Sequence, residues 1–188
     1  MKPDALHRDH ATFRQVLQAM SHPGTSSRLA TPVTMTSEHA SLIQMLGCLM
    51  DNEVTFSVIG DDVGTLATTL CLHTGSSQTD IGTSDFVIAT RGTTDGKLSH
   101  LKRGTLEYPD KGATLIYLVD EIAEEGGTAE LSGPGIKGTV SPLFLGLAAA
   151  ELAGLREVNA EYPLGVDAMF LDTNGRIACI PRSTRIGE

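Results

Sequence analysis

Apolar residues recur along this chain in two alternating rhythms, one with the spacing of a helix and one with that of a buried strand. Phe13, Val16, Leu17 and Met20 fall at i, i+3, i+4 and i+7, with Arg14, Gln15 and Gln18 opposite, which predicts an amphipathic helix over Asp9–Met20. Pro23-Gly24 ends it and opens a loop through Ser26, Ser27 and Pro32, with Arg28 read as a solvated charge. Thr36 and Ser37 are expected to cap a second helix, Glu38–Met50, whose apolar residues cover more than one face and predict burial. Thr55–Ile59 reads as a strand of β-branched and aromatic residues. Asp61 is expected to cap a third helix that places Val63, Leu66, Ala67 and Leu70 on one face and runs to Leu72.

Asp85–Ala89 and Thr114–Val119 are continuous apolar runs, as strands buried on both faces of a sheet must be. Between them Asp95–Arg103 reads as a short helix carrying Lys97, Lys102 and Arg103, a basic cluster whose plainer reading is a solvated face. Thr128–Ser132 alternates as a half-exposed strand leading into Gly133-Pro-Gly135, and Ser141–Val158 reads as one long apolar helix. Near the C-terminus two short strands, Ala168–Leu171 and Arg176–Ile180, flank Asp172-Thr-Asn-Gly175, a turn favoured because Asn and Gly tolerate positive φ. Helices alternating with buried strands predict an α/β fold, a three-layer sandwich with a mixed central sheet. The 188 residues fit a single domain, 1–188.

Composition narrows the function classes. Three widely spaced cysteines, Cys48, Cys71 and Cys179, make neither a disulfide framework nor a Cys-x-x-Cys site and fit a reducing cytoplasm. No signal-peptide core and no window of membrane-span length appear, so neither export nor a membrane is expected. A net charge of −9 argues against nucleic acid as a partner and confines any phosphate to a local basic pocket. Of the six histidines only His7 and His10 share a helical spacing, and a metal would need a third ligand, so no metal is expected.

The candidate chemistry gathers at the end of the chain. Pro163 and Pro181 frame the hairpin, and Arg182, Ser183, Thr184 and Arg185 leave it in a restricted direction. Two guanidiniums around two hydroxyls form a donor-rich cluster matched to phosphate or carboxylate, so Arg182, Thr184 and Arg185 are the candidate anion- or nucleotide-binding residues. The plain alternative is a solvated C-terminal arm. Gly133 and Gly135, beside Lys137, form a second candidate anion loop or simply a tight turn. Asp167 and Asp172 are expected to balance arginines, and Cys179 to be a small buried hydrophobe; no nucleophile emerges.

Several of these segments resemble one family. Pro163-Leu-Gly-Val-Asp167, Phe170, Asp172, Gly175 and Pro181-Arg-Ser-Thr-Arg-Ile186 are similar to the C-terminal signature of the carbon-phosphorus lyase subunit family PhnH, with Ser183 where a second threonine is expected. Phe13-Arg14 through Pro23-Gly24 resembles its N-terminal signature. Weaker matches lie between, in order, at His73-Thr-Gly75, Tyr108-Pro-Asp-Lys-Gly-Ala113 and Leu131-Ser-Gly-Pro-Gly-Ile136.

The resemblance implies a fold like the large domain of fold-type I pyridoxal-phosphate transferases with the cofactor lost, and no cofactor of its own. It implies a homodimeric, non-autonomous subunit working with sister subunits of G, I, J and L type. Their joint step moves ribose triphosphate from ATP onto an alkylphosphonate, which makes ATP or phosphonate the candidate ligand. Two alternatives stay open: a stand-alone transferase or hydrolase acting on a phosphorylated metabolite, and a purely structural dimeric scaffold.

Overall fold

A computed structural model describes residues 3–29 and 39–187. Its helices are α1 (Pro3–Ser21), α2 (Ala40–Leu49), α3 (Val63–Thr74) and α4 (Ala150–Val158). Its strands are β1 (Ser27–Arg28), β2 (Thr55–Ile59), β3 (Ser77–Gln78), β4 (Phe86–Ala89), β5 (Thr114–Val119), β6 (Glu121–Ala123), β7 (Leu131–Ser132), β8 (Leu143–Leu145), β9 (Asp167–Asp172), β10 (Arg176–Ile180) and β11 (Arg185–Ile186). Seven strands form the main sheet in the order β1-β10-β9-β5-β4-β2-β3. β3, β2, β4, β5 and β9 run parallel, while β10 is antiparallel to β9 and β1 to β10, so the sheet is mixed as expected.

The central strands send alternate residues to two separate cores, the reason their sequences read as unbroken apolar runs. Leu115, Tyr117 and Val119 of β5 join Val87, Ala89, Ala168, Phe170, Ala178 and Ile180 on one face. Ile116 joins Phe56, Ile88, Met169, Leu171, Ile177 and Cys179 on the other. That second face is covered by α1, α2 and α3 through Val16, Ala19, Leu42, Leu46, Leu66 and Leu70. The first is covered by α4, through Leu155 and Val158, together with Phe144 and Ile122 of a small ribbon. One outer layer is thus helical, and the other is a helix supplemented by ribbons and turns.

Several expectations are corrected. The apolar stretch 141–158 is not one helix: Leu143–Leu145 pairs as β8 with β6, and the helix begins only at Ala150. Only Leu98–His100 of 95–103 is helical, as a single 3-10 turn, because Asp95 and Gly96 both adopt positive φ. Of 128–132 only Leu131–Ser132 is a strand. Helix α1 begins earlier than its apolar stripe predicts, and α3 is flanked by Asp62, in a left-handed conformation without a side-chain cap, where Asp61 was expected to cap it. The predicted cap at Thr36 and Ser37, residue Glu38 and the loop at Pro32 lie outside the described residues.

Candidate functional site

The hairpin forms in the predicted place, pairing Leu171 with Ile177 and Ala168 with Ile180. Asp172 holds its turn, accepting from the backbone N–H groups of Asn174 and Arg176, both at 2.8 Å, while its other oxygen accepts from Ile122 N–H at 3.3 Å. Beyond Pro181 the chain makes a turn closed by Thr184 N–H donating to Pro181 O at 2.8 Å. Arg185 and Ile186 then pair with Ser132 and Leu131. The segment is therefore built into the fold, and the solvated-arm alternative does not hold for 181–187.

Arg182 is the best-anchored residue in it. Its Nε and Nη2 donate to Asp167 Oδ2 at 3.1 and 2.5 Å, its backbone N–H donates to Oδ1 at 2.8 Å, and Nη1 donates to Pro109 O. The two side chains are only 13 and 20% exposed. The guanidinium lies against Gly112, where an added Cβ would fall 2.5 Å from Nη1 and 2.4 Å from Gly165 O. Glycine in the Tyr108–Ala113 motif is thereby explained as the slot for Arg182, and Asp167 balances an arginine as expected.

The Leu131–Ile136 motif is likewise wedged between chain ends. A Cβ on Gly135 would sit 2.1 Å from Ser21 O and 2.9 Å from Pro23, at φ +82°, so this loop closes onto the N-terminal signature. Gly133 faces the other way, toward Ser183 and Thr184.

A cleft of about 540 Å³ opens beside them, lined by Gly133, Pro134, Arg156, Asn159, Ala160, Tyr162 and residues 182–186. It brings together four of the five residues singled out from sequence, Arg182, Thr184, Arg185 and Gly133; Gly135 is not in its lining. It adds Arg156 from the last turn of α4, and Tyr162, which is 65% exposed. Neither was singled out as a site residue from sequence, since both reach the cleft only in three dimensions. Asn159 fixes the rim by donating to Val166 O at 3.1 Å and accepting from Val166 N–H at 2.7 Å.

This cleft lies at the starting end of β9, whereas open parallel sheets usually bind ligands at the carboxyl ends of their strands. A second cavity, about 370 Å³, occupies that opposite end, lined by Thr90 and Arg91 after β4, Val119 and Asp120 at β5, Leu171 to Thr173 at β9, and His39, Ser41 and Leu42 of the α2 entry. Arg91 makes long, exposed pairs there with Asp61 (3.6 Å) and Asp95 (3.4 Å).

The loop after β4 is fixed by a residue that sequence reading passed over. Glu151 is 5% exposed, and its carboxylate accepts from Thr93 Oγ1 (3.0 Å), Thr94 N–H (2.8 Å), Thr94 Oγ1 (3.0 Å to Oε2) and Tyr117 Oη (2.6 Å). Burial, then the hydrogen bond and charge of Glu151, push the Tyr117 phenol up. Tyr117 in turn stacks on Phe170, and Phe170 on Phe144. The only sequence signal was a single Glu in an apolar run.

Two members of the expected basic cluster are structural. Lys102 pairs with Asp85 at 2.5 Å and Arg103 with Glu161 at 3.0 Å. Burial alone would raise Asp85, but hydrogen bonds from Lys102 and from the Thr55 backbone and hydroxyl outweigh it and hold the carboxyl below its ordinary value. Burial first, then the neighbouring Asp9, pushes the Cys48 thiol up to about 11, and burial also raises Cys179. Among the described residues no three His, Cys, Asp or Glu side chains converge, and no helix is long and apolar enough to cross a membrane.

Comparison with known proteins agrees from end to end. The family described as bacterial phosphonate metabolism protein (PhnH) matches residues 3–187. The chain is 30% identical over 182 residues to a putative C-P lyase subunit protein, HtxG, of Stutzerimonas stutzeri, covering 95% of this chain and 86% of that one. It is 27% identical over 190 residues to the alpha-D-ribose 1-methylphosphonate 5-triphosphate synthase subunit PhnH of Rhizobium meliloti (strain 1021), covering 97% and 92%.

Proposed function

We propose, because this chain belongs to the PhnH family of bacterial phosphonate metabolism proteins, that it works as a non-autonomous subunit of a carbon-phosphorus lyase system, contributing to formation of ribose-1-alkylphosphonate 5-triphosphate from ATP and an alkylphosphonate. The observation that carries this reading is the near full-length match to two proteins both named as subunits. Four of the five signature segments support it physically, since the two terminal ones and those at 108–113 and 131–136 meet around Arg182, Gly112 and Gly135.

In this reading one domain, 1–188, forms a homodimer in the cytoplasm and docks with sister subunits of G, I, J and L type. Its fold resembles the large domain of fold-type I pyridoxal-phosphate transferases and carries no cofactor. Arg182, Thr184, Arg185 and Gly133 frame the ligand cleft, with Arg182 acting mainly by holding its wall.

Two measurements test the proposal. A tagged copy purified from phosphate-starved cells should bring other lyase subunits with it, and recovery without them would count against the assignment. Purified alone it should not turn over ATP with an alkylphosphonate, whereas the mixture with its sister subunits should; turnover by this chain alone would instead make it a stand-alone transferase.

A further inference from the structure

We infer that the cavity at the carboxyl ends of β4, β5 and β9 binds a short zwitterion, an acid group and an ammonium joined by a chain of a few carbons, with the acid on Arg91 and the ammonium on Asp120. This is a second site, at the end of the sheet opposite the cleft beside residues 182–186, and it does not depend on the subunit assignment.

Charge decides the ligand class. Of the Asp and Arg side chains in the lining, Asp172 is spent, its carboxylate accepting from the N–H groups of Ile122, Asn174 and Arg176. Asp120 is not. It is exposed, and among the described residues no hydrogen bond or ion pair engages its carboxylate. Its Oδ2 lies against Gly146 of the same lining, where a Cβ would fall 2.7 Å away. Arg91 is already compensated in part, through Nε by Asp61 at 3.6 Å and through Nη2 by Asp95 at 3.4 Å. Exposed pairs of that length contribute little and can yield to a competing acid. A bare anion would still meet Asp61, Asp95 and Asp120 around one guanidinium, on a protein of net charge −9. A ligand that brings its own ammonium to Asp120 offsets that repulsion and adds no net charge.

Shape and position agree. The cavity, about 370 Å³, is of small-ligand size and lies where open parallel sheets take their ligands. Strands β4 and β5 pair side by side, Ala89 beside Tyr117, and Arg91 and Asp120 follow within two residues of their ends, so a short chain can span the two charges. The floor between them is apolar. Leu118, in the middle strand of the seven, is only half-buried, whereas Ile116 on the same face is fully buried. Methylene groups lying over Leu118 would take that surface out of water. Both rims are fixed in advance: Thr90 Oγ1 accepts from Asp61 N–H at 3.0 Å, Ala148 N–H donates to Gly92 O at 2.9 Å, and Glu151 holds Thr94. Recognition groups carried on such a rim need little reordering when a ligand arrives.

The test is calorimetric titration of the full chain with two zwitterions, 2-aminoethylphosphonate and β-alanine, and with ethylphosphonate, propionate and ethylamine, each of which lacks one of the two charges. Wild type should saturate with at least one zwitterion and bind the singly charged compounds at least about tenfold more weakly. Whichever zwitterion binds more tightly identifies the acid group as phosphonate or carboxylate. Asp120→Asn should weaken that zwitterion about tenfold or more and erase its advantage over the matching bare acid; Arg91→Gln should weaken it as much and erase its advantage over ethylamine. Arg185→Ala, at the other cleft, should change nothing.

No saturation of wild type by either zwitterion overturns the assignment, as does equal affinity for a zwitterion and its bare acid, or a preference for the zwitterion that survives Asp120→Asn. Asp120 and Arg91 are both exposed, so their variants should keep the wild-type melting temperature; the comparison of ligands on wild type decides the matter even if a variant melts lower. Recovery of lyase subunits with a tagged chain bears on the subunit role alone, so the two readings fail separately.

Discussion

Replacing Arg182 by alanine should destabilise the protein, and replacing Arg185 should not, although the two are three residues apart in one Arg-Ser-Thr-Arg motif. Removing the Arg182 guanidinium leaves Asp167 as an uncompensated carboxylate that is 20% exposed and deprives Pro109 O of its donor. Breaking a fully buried ion pair from one side costs about 3–5 kcal/mol. Water reaches Asp167 here, and the backbone N–H of residue 182 still bonds it, so the electrostatic part falls to about 2–3 kcal/mol. The orphaned carbonyl adds about 1 kcal/mol, giving about 3–4 kcal/mol in all.

With a urea dependence of about 2 kcal/mol per molar, the unfolding midpoint of Arg182→Ala should drop by about 1.5–2 M. Arg182→Lys keeps a charge beside Asp167 but cannot fork to Pro109 O, so it should lose roughly half as much. Arg185 is exposed, and its alanine variant should stay within about 0.5 kcal/mol of wild type. Equal midpoints for the two alanine variants in equilibrium urea unfolding would refute the division of labour argued here.

Three further outcomes follow from other sites. Tyr117→Phe removes one donor from the buried Glu151 carboxylate and should cost about 2 kcal/mol, or 4–8 °C in Tm by calorimetry; Glu151→Ala, which orphans Thr94 and Tyr117 together, should cost more. Asp85 is held below its ordinary carboxylate value, so its contribution is fully present above the unfolded pKa of about 4 and is lost as pH falls through the lower folded value. The Tm gap between wild type and Asp85→Asn should therefore be constant from neutral pH down to about 5 and close in more acidic solution. Gly135→Ala combines φ +82° with a 2.1 Å approach to Ser21 O, and urea unfolding should register a loss above about 2 kcal/mol.

Much of the sheet was legible because its strands are buried on both faces, which makes Asp85–Ala89 and Thr114–Val119 unmistakable apolar runs. The hairpin was legible because Asn174 and Gly175 are turn residues, and of the two it is Gly175 that takes the positive φ. Residues 141–158 were misread because the β8 sequence Leu-Phe-Leu looks like more of the same apolar helix, and only its pairing with the inconspicuous Glu121–Ala123 makes it a strand. The end-of-chain arginines were found as a motif, but which one is anchored and which faces the cleft depends on Asp167, Pro109 and Gly112, residues 15 to 73 positions away for the bonded pairs. Glu151, Arg156 and Tyr162 were missed because their partners and neighbours meet them only through tertiary folding.

The order of strands carries a consequence for biogenesis. Helix α1 rests on α2 and β10, and β1 pairs with β10, the last strand of the main sheet to be translated. A nascent chain emerging from the ribosome can pair β2, β4 and β5 and pack its first helix on α2 early, but the side of that helix that meets β10 stays uncovered until the hairpin is free of the exit tunnel. The last strand of the main sheet must be made before the first helix has the whole of its seat.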